Sequence, residues 1–495
     1  MKRIVLGVLL SAPFAGFAQS EVDLFRFSAS RFQPTARMAG MGGAFGALGA
    51  DLGAVALNPA GLSTFRKNTL SITPQLVFNS NEATYLGETF SDGRNRLGFG
   101  NLGFVYVKPG NNASSWQQVS YGFTMNRLAN FSSNIQYEGV NRSSSMIDFF
   151  LSEANAGSEF VPDNFPFTAS LAESVGLIFP RVPGDRTTNY LGLVPPGGIR
   201  QSETISTSGS ITDYSFTMAG NYKNLLHLGG AISLNSISYS SIETFTERDH
   251  MDTIFDFKDF SFERNLLVEG DGLRVRFGGI LQPVKWLRLG LTYESGARYN
   301  IVDDYRTLIS ANFDSVPTFA EARSPLFRPF TYSFRSANRT TLSGAILFGA
   351  RGLISVDYDL VGFNRIRVDE GSVDQGAESW AAALNNDVQT FLRGGNNFRV
   401  GGELVTGALA WRAGYASWST PFRQGVVTGG GDFFQQDASL GVGLRRNAVS
   451  FDFSLTRSWW KQFRQPYSVD GLNVEGAIIN SGRWVGTLSM HYRID

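Results

Sequence analysis

Residues 483–495 of the chain are RWVGTLSMHYRID, and their polarity alternates with a period of two. One face of this stretch is apolar and carries Trp484, Leu488, Met490, Tyr492 and Ile494. The other face is polar and carries Arg483, Thr487, Ser489, His491, Arg493 and Asp495. Successive side chains of a β-strand point to opposite sides, so the pattern predicts a strand with one apolar and one polar face.

The same period of two recurs from residue 69 onward. Leu70, Ile72, Leu76 and Phe78 alternate with Thr69, Ser71, Thr73 and Gln75, and the stretch from Val119 to Asn126 alternates in the same way. The pattern predicts fourteen strands, at residues 69–79, 96–108, 116–138, 211–223, 226–245, 270–283, 286–300, 328–349, 352–367, 396–407, 408–420, 433–446, 447–459 and 482–494. Alternation alone does not distinguish a soluble sandwich from a membrane barrel, whose apolar face points at lipid.

The lengths of the connections between strands distinguish a soluble sandwich from a membrane barrel. Links after the odd-numbered strands are predicted to be long, and links after the even-numbered strands to be short turns such as residues 223–225 and 283–285. Long loops at one end, short turns at the other and an even strand number are typical of outer-membrane barrels. The sequence therefore predicts an all-β, 14-stranded antiparallel transmembrane β-barrel over 69–495, monomeric and in the bacterial outer membrane. Its long extracellular loops are expected at 139–210, 246–269, 301–327 and 368–395.

The composition excludes several kinds of site. The chain has no cysteine, so disulfides and thiolate metal sites are excluded, and Lys+Arg and Asp+Glu both number 43, which argues against a nucleic-acid partner. The histidines, His227, His250 and His491, are expected at a turn, in a loop and in the last strand, too far apart for a metal site. No Ser/His/Asp arrangement is evident, so we expect neither an enzyme nor a cofactor.

The residues before the first strand form two predicted units. Residues 1–18 have a basic start, a short apolar run and small residues at 16–18, which predicts a signal peptide cleaved between Ala18 and Gln19. Residues 19–68 are predicted to form an N-terminal hatch that plugs the lumen, because side chains alone cannot fill a fourteen-stranded barrel. Within them, Ala39–Leu57 is rich in small residues, but Asp51 and its glycines argue against a membrane-spanning helix.

The predicted hatch region contains two motifs that resemble those of a known protein family. ARMAGMGGAF at 36–45 and NPAGL at 58–62 resemble the hatch of the FadL/TodX family of outer-membrane transporters for hydrophobic compounds. The hairpin from Gly272 through Pro283 to Tyr293 resembles the mid-barrel hairpin of that family. The resemblance implies a channel for passive, ligand-gated uptake of small hydrophobic molecules, such as fatty acids or aromatic hydrocarbons. A ligand would land among the outer loops, reach a site between hatch and wall, and leave sideways after the hatch rearranges.

The resemblance also implies roles for particular residues. Asn58, Pro59 and Ala60 are expected to form the gating element of the hatch. The same trio could instead only end a hatch helix and turn the chain toward the first strand. The hatch side chains expected to face the ligand are Met38, Met41, Phe45 and Leu48. Expected partners are the hydrophobic ligand and the surrounding outer-membrane lipid and lipopolysaccharide.

The third strand has a break in its alternation. The apolar pattern stops at Arg127 and Ala129 and resumes at Phe131. Such a break indicates a bulge or local unpairing, so we expect a possible lateral opening at Asn126, Arg127, Ala129 and Asn130. The other interpretation is that the strand leaves the bilayer here and Arg127 marks the outer interface.

The loops and the composition leave other interpretations open. Met146, Phe149, Phe150 and Ala154 recur at helical spacing, as do Trp380, Leu384, Val388, Phe391 and Leu392. These two helices could form a landing groove for ligand or pack as caps on neighbouring loops. Alternative functions are an open porin, a non-transporting barrel that assists outer-membrane assembly or secretion, and a haem-related receptor that uses His250.

Overall fold

The fold is known from a computed structural model that describes residues 21–29, 34–110, 114–156, 162–195, 198–315, 318–374, 376–423 and 434–494. The predicted signal peptide at 1–18 and the first residues of the predicted hatch lie outside this range. The helices are α1 (Glu21–Ser28), α2 (Ala36–Gly40), α3 (Met146–Ala154), α4 (Ala169–Ser174) and α5 (Glu378–Phe391). Short 3-10 helices occupy Ala54–Ala56, Pro59–Thr64, Pro162–Asn164 and Phe363–Arg365.

Strands make up most of the described chain. They are β1 (Asn68–Tyr85), β2 (Glu88–Pro109), β3 (Trp116–Asn130), β4 (Ser133–Asn141), β5 (Ile178–Val182), β6 (Asp185–Gly192), β7 (Ile199–Tyr222), β8 (Leu226–Arg248), β9 (Asp259–Val284), β10 (Leu287–Glu294), β11 (Arg298–Asn312), β12 (Phe319–Arg323), β13 (Phe330–Arg335), β14 (Arg339–Leu347), β15 (Gly352–Val361), β16 (Arg367–Val368), β17 (Gly395–Thr406), β18 (Leu409–Trp418), β19 (Gln435–Arg446), β20 (Val449–Arg464) and β21 (Ala477–Ile494).

These strands form a closed antiparallel barrel. The last strand, β21, pairs with the first, β1, from Asn68↔Ile494 to Thr84↔Ile478, so the sheet has no free edge there. Three of the wall strands are interrupted, and each consists of two segments: β3 with β4, β10 with β11, and β13 with β14. The wall therefore has fourteen strands, which confirms the predicted fold.

The barrel is apolar on its outer surface and polar inside. Outward side chains are exposed and apolar, as Leu97 (70%), Leu440 (66%) and Phe277 (61%) illustrate. Inward side chains such as Ser71 and Ser489 are polar and buried. An exposed apolar band on a closed barrel faces lipid, since water would make such a surface unfavourable. No helix among the described residues is long and apolar enough to cross a membrane.

Several strands are longer than the sequence predicts. Residues 80–95, predicted as a loop, continue β1 and β2 to a two-residue turn at Leu86 and Gly87, both with positive φ. The predicted loop bounds 139–210, 246–269 and 301–327 are too wide, because β7 begins at 199, β9 begins at 259 and β11 continues to 312. Above the apolar band the outward face of a strand is polar, and buried apolar residues such as Tyr85 and Phe262 face inward, so the pattern of an outward apolar face ends before the strand does. Among the described residues, the longest connections are 142–198, which holds α3, α4 and the β5–β6 hairpin, and 362–394, which holds α5.

Candidate functional site: the lumen segment and the broken wall strand

Residues 34–65, here called the lumen segment, contact the inner wall on opposite sides of the barrel. Helix α2 packs against β18, β19, β20 and β21, whereas the 3-10 helix Pro59–Thr64 packs against β3, β7, β8 and β9. Ser489 accepts a hydrogen bond from the backbone N–H of Ala36 (2.8 Å), and Ser439 accepts one from Gly42 (3.0 Å). A segment with these contacts crosses the lumen, so it narrows any path along the barrel axis.

Charged wall residues hold the lumen segment in place. The Arg37 guanidinium donates to both carboxylate oxygens of Glu403, at 3.0 and 3.1 Å. The carboxylate of Asp357 accepts the backbone N–H groups of Phe45 (2.9 Å) and Gly46 (3.1 Å). Hydrogen bonds to ionised groups are the strong ones in a low-dielectric interior. A few side chains, each of which can be replaced by mutation, therefore anchor the segment to the wall.

Asn58, Pro59 and Ala60 lie at the start of the second of two consecutive 3-10 helices. Asn58 caps the 3-10 helix by accepting the N–H of Ala60 (3.0 Å), and Pro59 occupies the first turn, where a missing N–H costs nothing. The Asn58 amide also donates to the Gly46 carbonyl (2.7 Å) and the Gly279 carbonyl (3.3 Å). The trio thus lies between two 3-10 helices, because the Asn58 N–H also donates to the Ala54 carbonyl (2.9 Å) at the end of Ala54–Ala56.

The trio lies against wall strands that have glycines at the points of contact. A Cβ at Gly278 would lie 2.0 Å from Oδ1 of Asn58, and one at Gly229 would lie 2.5 Å from the carbonyl carbon of Pro59. Any side chain at either position would collide with the lumen segment, so these glycines permit the close approach. Asn58 therefore links the turn, the rest of the lumen segment and the wall.

The stretch Ala39–Leu57 is folded compactly and does not form a continuous helix. It contains the end of α2, turns and the 3-10 helix Ala54–Ala56. Asp51 is 2% exposed, and its carboxylate accepts the Thr35 hydroxyl (2.8 Å) and the Gly53 N–H (2.9 Å). A buried carboxylate used in this way caps a turn, which agrees with the sequence argument against a membrane-spanning helix.

The apolar side chains of the lumen segment are packed. Met38, Met41, Phe45 and Leu48 are at most 3% exposed and belong to a cluster that includes Leu24 and Phe27 of α1. None of the four lines the cavity described below; the residue of the lumen segment that does is Ala39. Contact between these four side chains and a ligand therefore requires a rearrangement.

The third wall strand is broken at the predicted place. The β2–β3 ladder ends at Asn101↔Asn126, and on the β3 side residues 88–100 of β2 have no partner strand among the described residues. The β3–β7 ladder shifts register between Arg127 and Ala129, which leaves Leu128 as an extra residue. Beyond Asn130 the chain resumes as β4, which pairs with β7 but not with β2. The wall thus has a discontinuity between β2 and the third strand.

Hydrogen bonds of side chains, and not a β-ladder, bridge this discontinuity. The Arg127 guanidinium donates to the Phe99 carbonyl (3.2 Å), and Arg96 donates to the Ser132 hydroxyl (2.8 Å). Leu97 and Phe99, on the unpaired part of β2, are 70% and 50% exposed, so the apolar band reaches the lower end of the break. Arg127 therefore lies at the register shift of the third strand, just above the exposed apolar residues Leu97 and Phe99.

A cavity of about 480 Å³ lies between α1, the lumen segment and the broken strand. Residues 127–131 of the break border it directly. Its apolar lining includes Phe25, Val77, Phe131, Ile135 and Val485. The space is within the usual size of pockets for small molecules.

Four arginines border the same cavity, and two of them have no carboxylate within 4.0 Å among the described residues. Arg26 pairs with Asp23, and Arg464 pairs with Glu243 at 2.6 Å. Arg483 donates to the Asn79 side chain (2.7 Å) and its guanidinium lies over the Trp460 ring, but no described carboxylate lies within 4.0 Å of it; the same is true of Arg127. Sequence analysis placed Arg483 on the polar face of the last strand, but nothing in the sequence showed that it lacked a counter-ion.

The two loop helices pack as caps on other loops. In α3, Met146, Ile147 and Phe150 are buried against aromatic residues of β8 and β9. In α5, Trp380 lies edge-on to Phe330 and Tyr332, and Leu384 and Val388 are buried. Neither helix presents its apolar face to solvent.

The histidines lie far apart in the fold. His227, at the start of β8, contacts the Ser63 hydroxyl at 2.8 Å, His250 is exposed in a loop, and His491 is in β21. Within the described part of the chain, no three His, Asp or Glu residues are arranged to hold a metal ion.

No protein-family model matches the chain, and no curated protein matches it. Solved structures do. A FadL homologue from Pseudomonas aeruginosa superposes with a TM-score of 0.57 at 13% sequence identity, over 94% of this chain and 100% of that one. The toluene transporter TodX from P. putida superposes with a TM-score of 0.52 at 12% identity, over 94% of this chain and 98% of that one. At such identities the likeness establishes the fold, and the resemblance expected from the sequence is confirmed at that level.

Proposed function

We propose, from a fold shared with channels for hydrophobic compounds, that this protein is a passive outer-membrane channel for the uptake of small hydrophobic molecules. The observation that carries the proposal is the cavity of about 480 Å³ between the lumen segment and the break in the third wall strand. A general porin would need an open polar lumen, whereas here a packed, anchored segment crosses it. The solved neighbours include a protein named as a toluene transporter, and a hydrophobic ligand suits the apolar lining of this cavity.

The proposed route uses the lumen segment as the hatch. A ligand enters from the loop end, occupies the cavity beside Phe131, and leaves sideways between β2 and the third strand, near Asn126, Arg127, Ala129 and Asn130. Exit requires that the side-chain bridges at Arg96 and Arg127 open, which costs far less than unzipping a ladder. Movement of the hatch about Asn58, Pro59 and Ala60 would expose Met38, Met41, Phe45 and Leu48 to the ligand.

The arginines of the cavity favour ligands with an acidic head group. Arg483 is partly buried and has no described carboxylate within 4.0 Å; Asp437, which attracts it from farther away, already accepts hydrogen bonds from Trp418 and Gln435. A partly buried charge without a contacting counter-ion is unfavourable. A ligand carboxylate would supply that counter-charge while its alkyl chain lies along Val77, Phe131 and Ile135. Fatty acids meet both requirements, and neutral aromatic hydrocarbons meet only the second.

The first test is native mass spectrometry of the detergent-purified protein. The protein is offered a long-chain fatty acid and, separately, a neutral aromatic hydrocarbon of similar hydrophobicity. We expect the acid to be retained, and retention to fall when residues 19–65 are deleted or when Asn58 and Pro59 are both changed to alanine. If the intact protein retains neither ligand, the channel proposal fails and an accessory barrel becomes the better interpretation.

The second test displaces the hatch from the wall. A Cβ on Gly441 would lie 3.1 Å from the Cα of Gly40, which is closer than ordinary van der Waals contact, whereas a Cβ on Gly344 has open space. Gly441→Val should therefore push helix α2 off the wall and raise uptake of radiolabelled fatty acid by cells, and the control Gly344→Val should take it up as the wild type does. Unchanged uptake by the Gly441→Val variant would contradict gating by the hatch.

A further inference from the structure

A second cavity lies on the outside of the barrel. It measures about 570 Å³ and is formed by β19, β20, β21, β1 and β2 at the end of the barrel that carries the long loops. The residues that matter in its lining are Arg457, Trp459, Lys461, Asn480, Gly482 and Glu82. It is separate from the lumen cavity in position and opens toward the surroundings of the barrel.

The strand register places this cavity directly above the apolar band. One row across the wall is apolar, with Leu440 beside Leu455 on β19 and β20 and Leu76 beside Leu97 on β1 and β2. The next row toward the loops aligns Arg457, Trp484 and Phe78, and two rows higher lie Lys461, Asn480 and Glu82. Cations and tryptophans at the edge of an apolar band mark the level of lipid head groups.

Arg457 is held flat against the wall at this level. Its guanidinium lies 5.2 Å from the centre of the Trp484 ring. A Cβ at Gly482 would lie only 2.5 Å from Nη2 of Arg457, so any side chain at position 482 would displace the guanidinium. Neither Arg457 nor Lys461 has a described carboxylate within 4.0 Å, and Glu82 is hydrogen-bonded by the Asn480 amide at 3.5 Å. The cavity therefore presents two unpaired cations beside exposed tryptophan rings.

We propose that this cavity binds the phosphate-bearing head group of an outer-leaflet glycolipid. Two N–H groups of the Arg457 guanidinium would donate hydrogen bonds to phosphate oxygens, and Lys461 would add a second positive charge. Trp459 and Trp484, 38% and 43% exposed, would pack against the sugar and the first carbons of the acyl chains. The phosphate comes from a lipid rather than from solution, because the site opens onto the apolar band below it. This inference rests on the outer-membrane location within the proposed function, but not on ligand transport.

The test is native mass spectrometry of delipidated protein titrated with bisphosphorylated lipid A, dephosphorylated lipid A or inorganic phosphate. Wild-type protein should bind bisphosphorylated lipid A about a hundredfold more tightly than the double variant Arg457→Gln/Lys461→Gln, the loss expected for two charge-assisted hydrogen bonds. Gly482→Ala, which displaces the guanidinium without removing its charge, should weaken binding by a smaller factor. The control Lys223→Gln/Lys285→Gln removes two exposed charges from the short-turn end and should bind as the wild type does.

Three results would each overturn the inference. They are equal binding by the wild type and the Arg457/Lys461 double variant, equal binding of phosphorylated and dephosphorylated lipid A, and full competition by millimolar inorganic phosphate, which would indicate a site for small anions. Retention of a fatty acid in the lumen cavity is measured in the same spectra, so failure of this site is distinguishable from failure of the channel proposal.

Discussion

Replacing Asp357 with alanine should release the hatch while leaving the wall intact. The Asp357 carboxylate accepts the N–H groups of Phe45 and Gly46, so Asp357→Ala leaves two buried donors unpaired. Each hydrogen bond to a charged acceptor contributes about 1.5–3 kcal/mol, and water admitted to the lumen recovers part of that. We therefore expect the closed hatch to lose about 3 kcal/mol. Arg399 keeps Asp359 as its partner at 2.6 Å, so the wall network survives.

A loss of about 3 kcal/mol raises the open population of the hatch about a hundredfold. Hydrogen exchange of the amides of Phe45 and Gly46 should accelerate by the same factor, and conductance in planar bilayers should show more frequent openings. Asp357→Asn keeps one acceptor oxygen and should give a smaller change. Asp213→Asn, which alters a lumen carboxylate bonded to wall residues, should leave the exchange of both amides unchanged. Unchanged exchange at residues 45 and 46 in the alanine variant would refute the anchoring role of Asp357.

Three further changes test other parts of the site. Arg483→Leu should weaken retention of a fatty acid about tenfold but spare a neutral hydrocarbon, as measured by native mass spectrometry, and equal losses for both would remove the head-group role. Gly278→Val should displace Asn58 and accelerate proteolysis of the lumen segment, whereas Gly344→Val, where a Cβ has open space, should not. Burial raises the pKa of Glu153 in α3 to about 7 from its ordinary 4.5, so the fold favours its protonated form. The stability that this group contributes to the outer loops is complete below pH 4.5 and falls as the pH rises to about 7; Glu153→Gln should remove this dependence in limited proteolysis at pH 5 and pH 8.

The period of two in polarity, together with the alternation of long loops and short turns, was sufficient to predict the barrel. Alternating stretches such as 69–78 and 483–494 specify strands with a lipid face and a lumen face, and this local signal needs no knowledge of partners. The same pattern failed above the bilayer, where β1 and β2 continue to the turn at 86–87 without an outward apolar face. The interruption at Arg127 was visible for the same reason, because a bulge shifts the alternation by one residue.

Less of the candidate site than of the fold could be predicted from the sequence. The motif predicted a hatch, but it did not show that Met38, Met41, Phe45 and Leu48 pack away from the cavity. It also could not show that Arg464 contacts a carboxylate while Arg483 contacts none among the described residues, because that depends on which inward side chains meet across a lumen.

The sequence by itself determined the strands, their faces, the closed antiparallel barrel and the place of the break in the third strand. Only the tertiary structure decided how the lumen segment is anchored, where the cavity lies, and which cations are left unpaired. The physical reason is the range of the interactions. Alternation is set by neighbours two residues apart, whereas contacts such as Arg37 with Glu403 and Phe45 with Asp357 join residues more than three hundred positions apart.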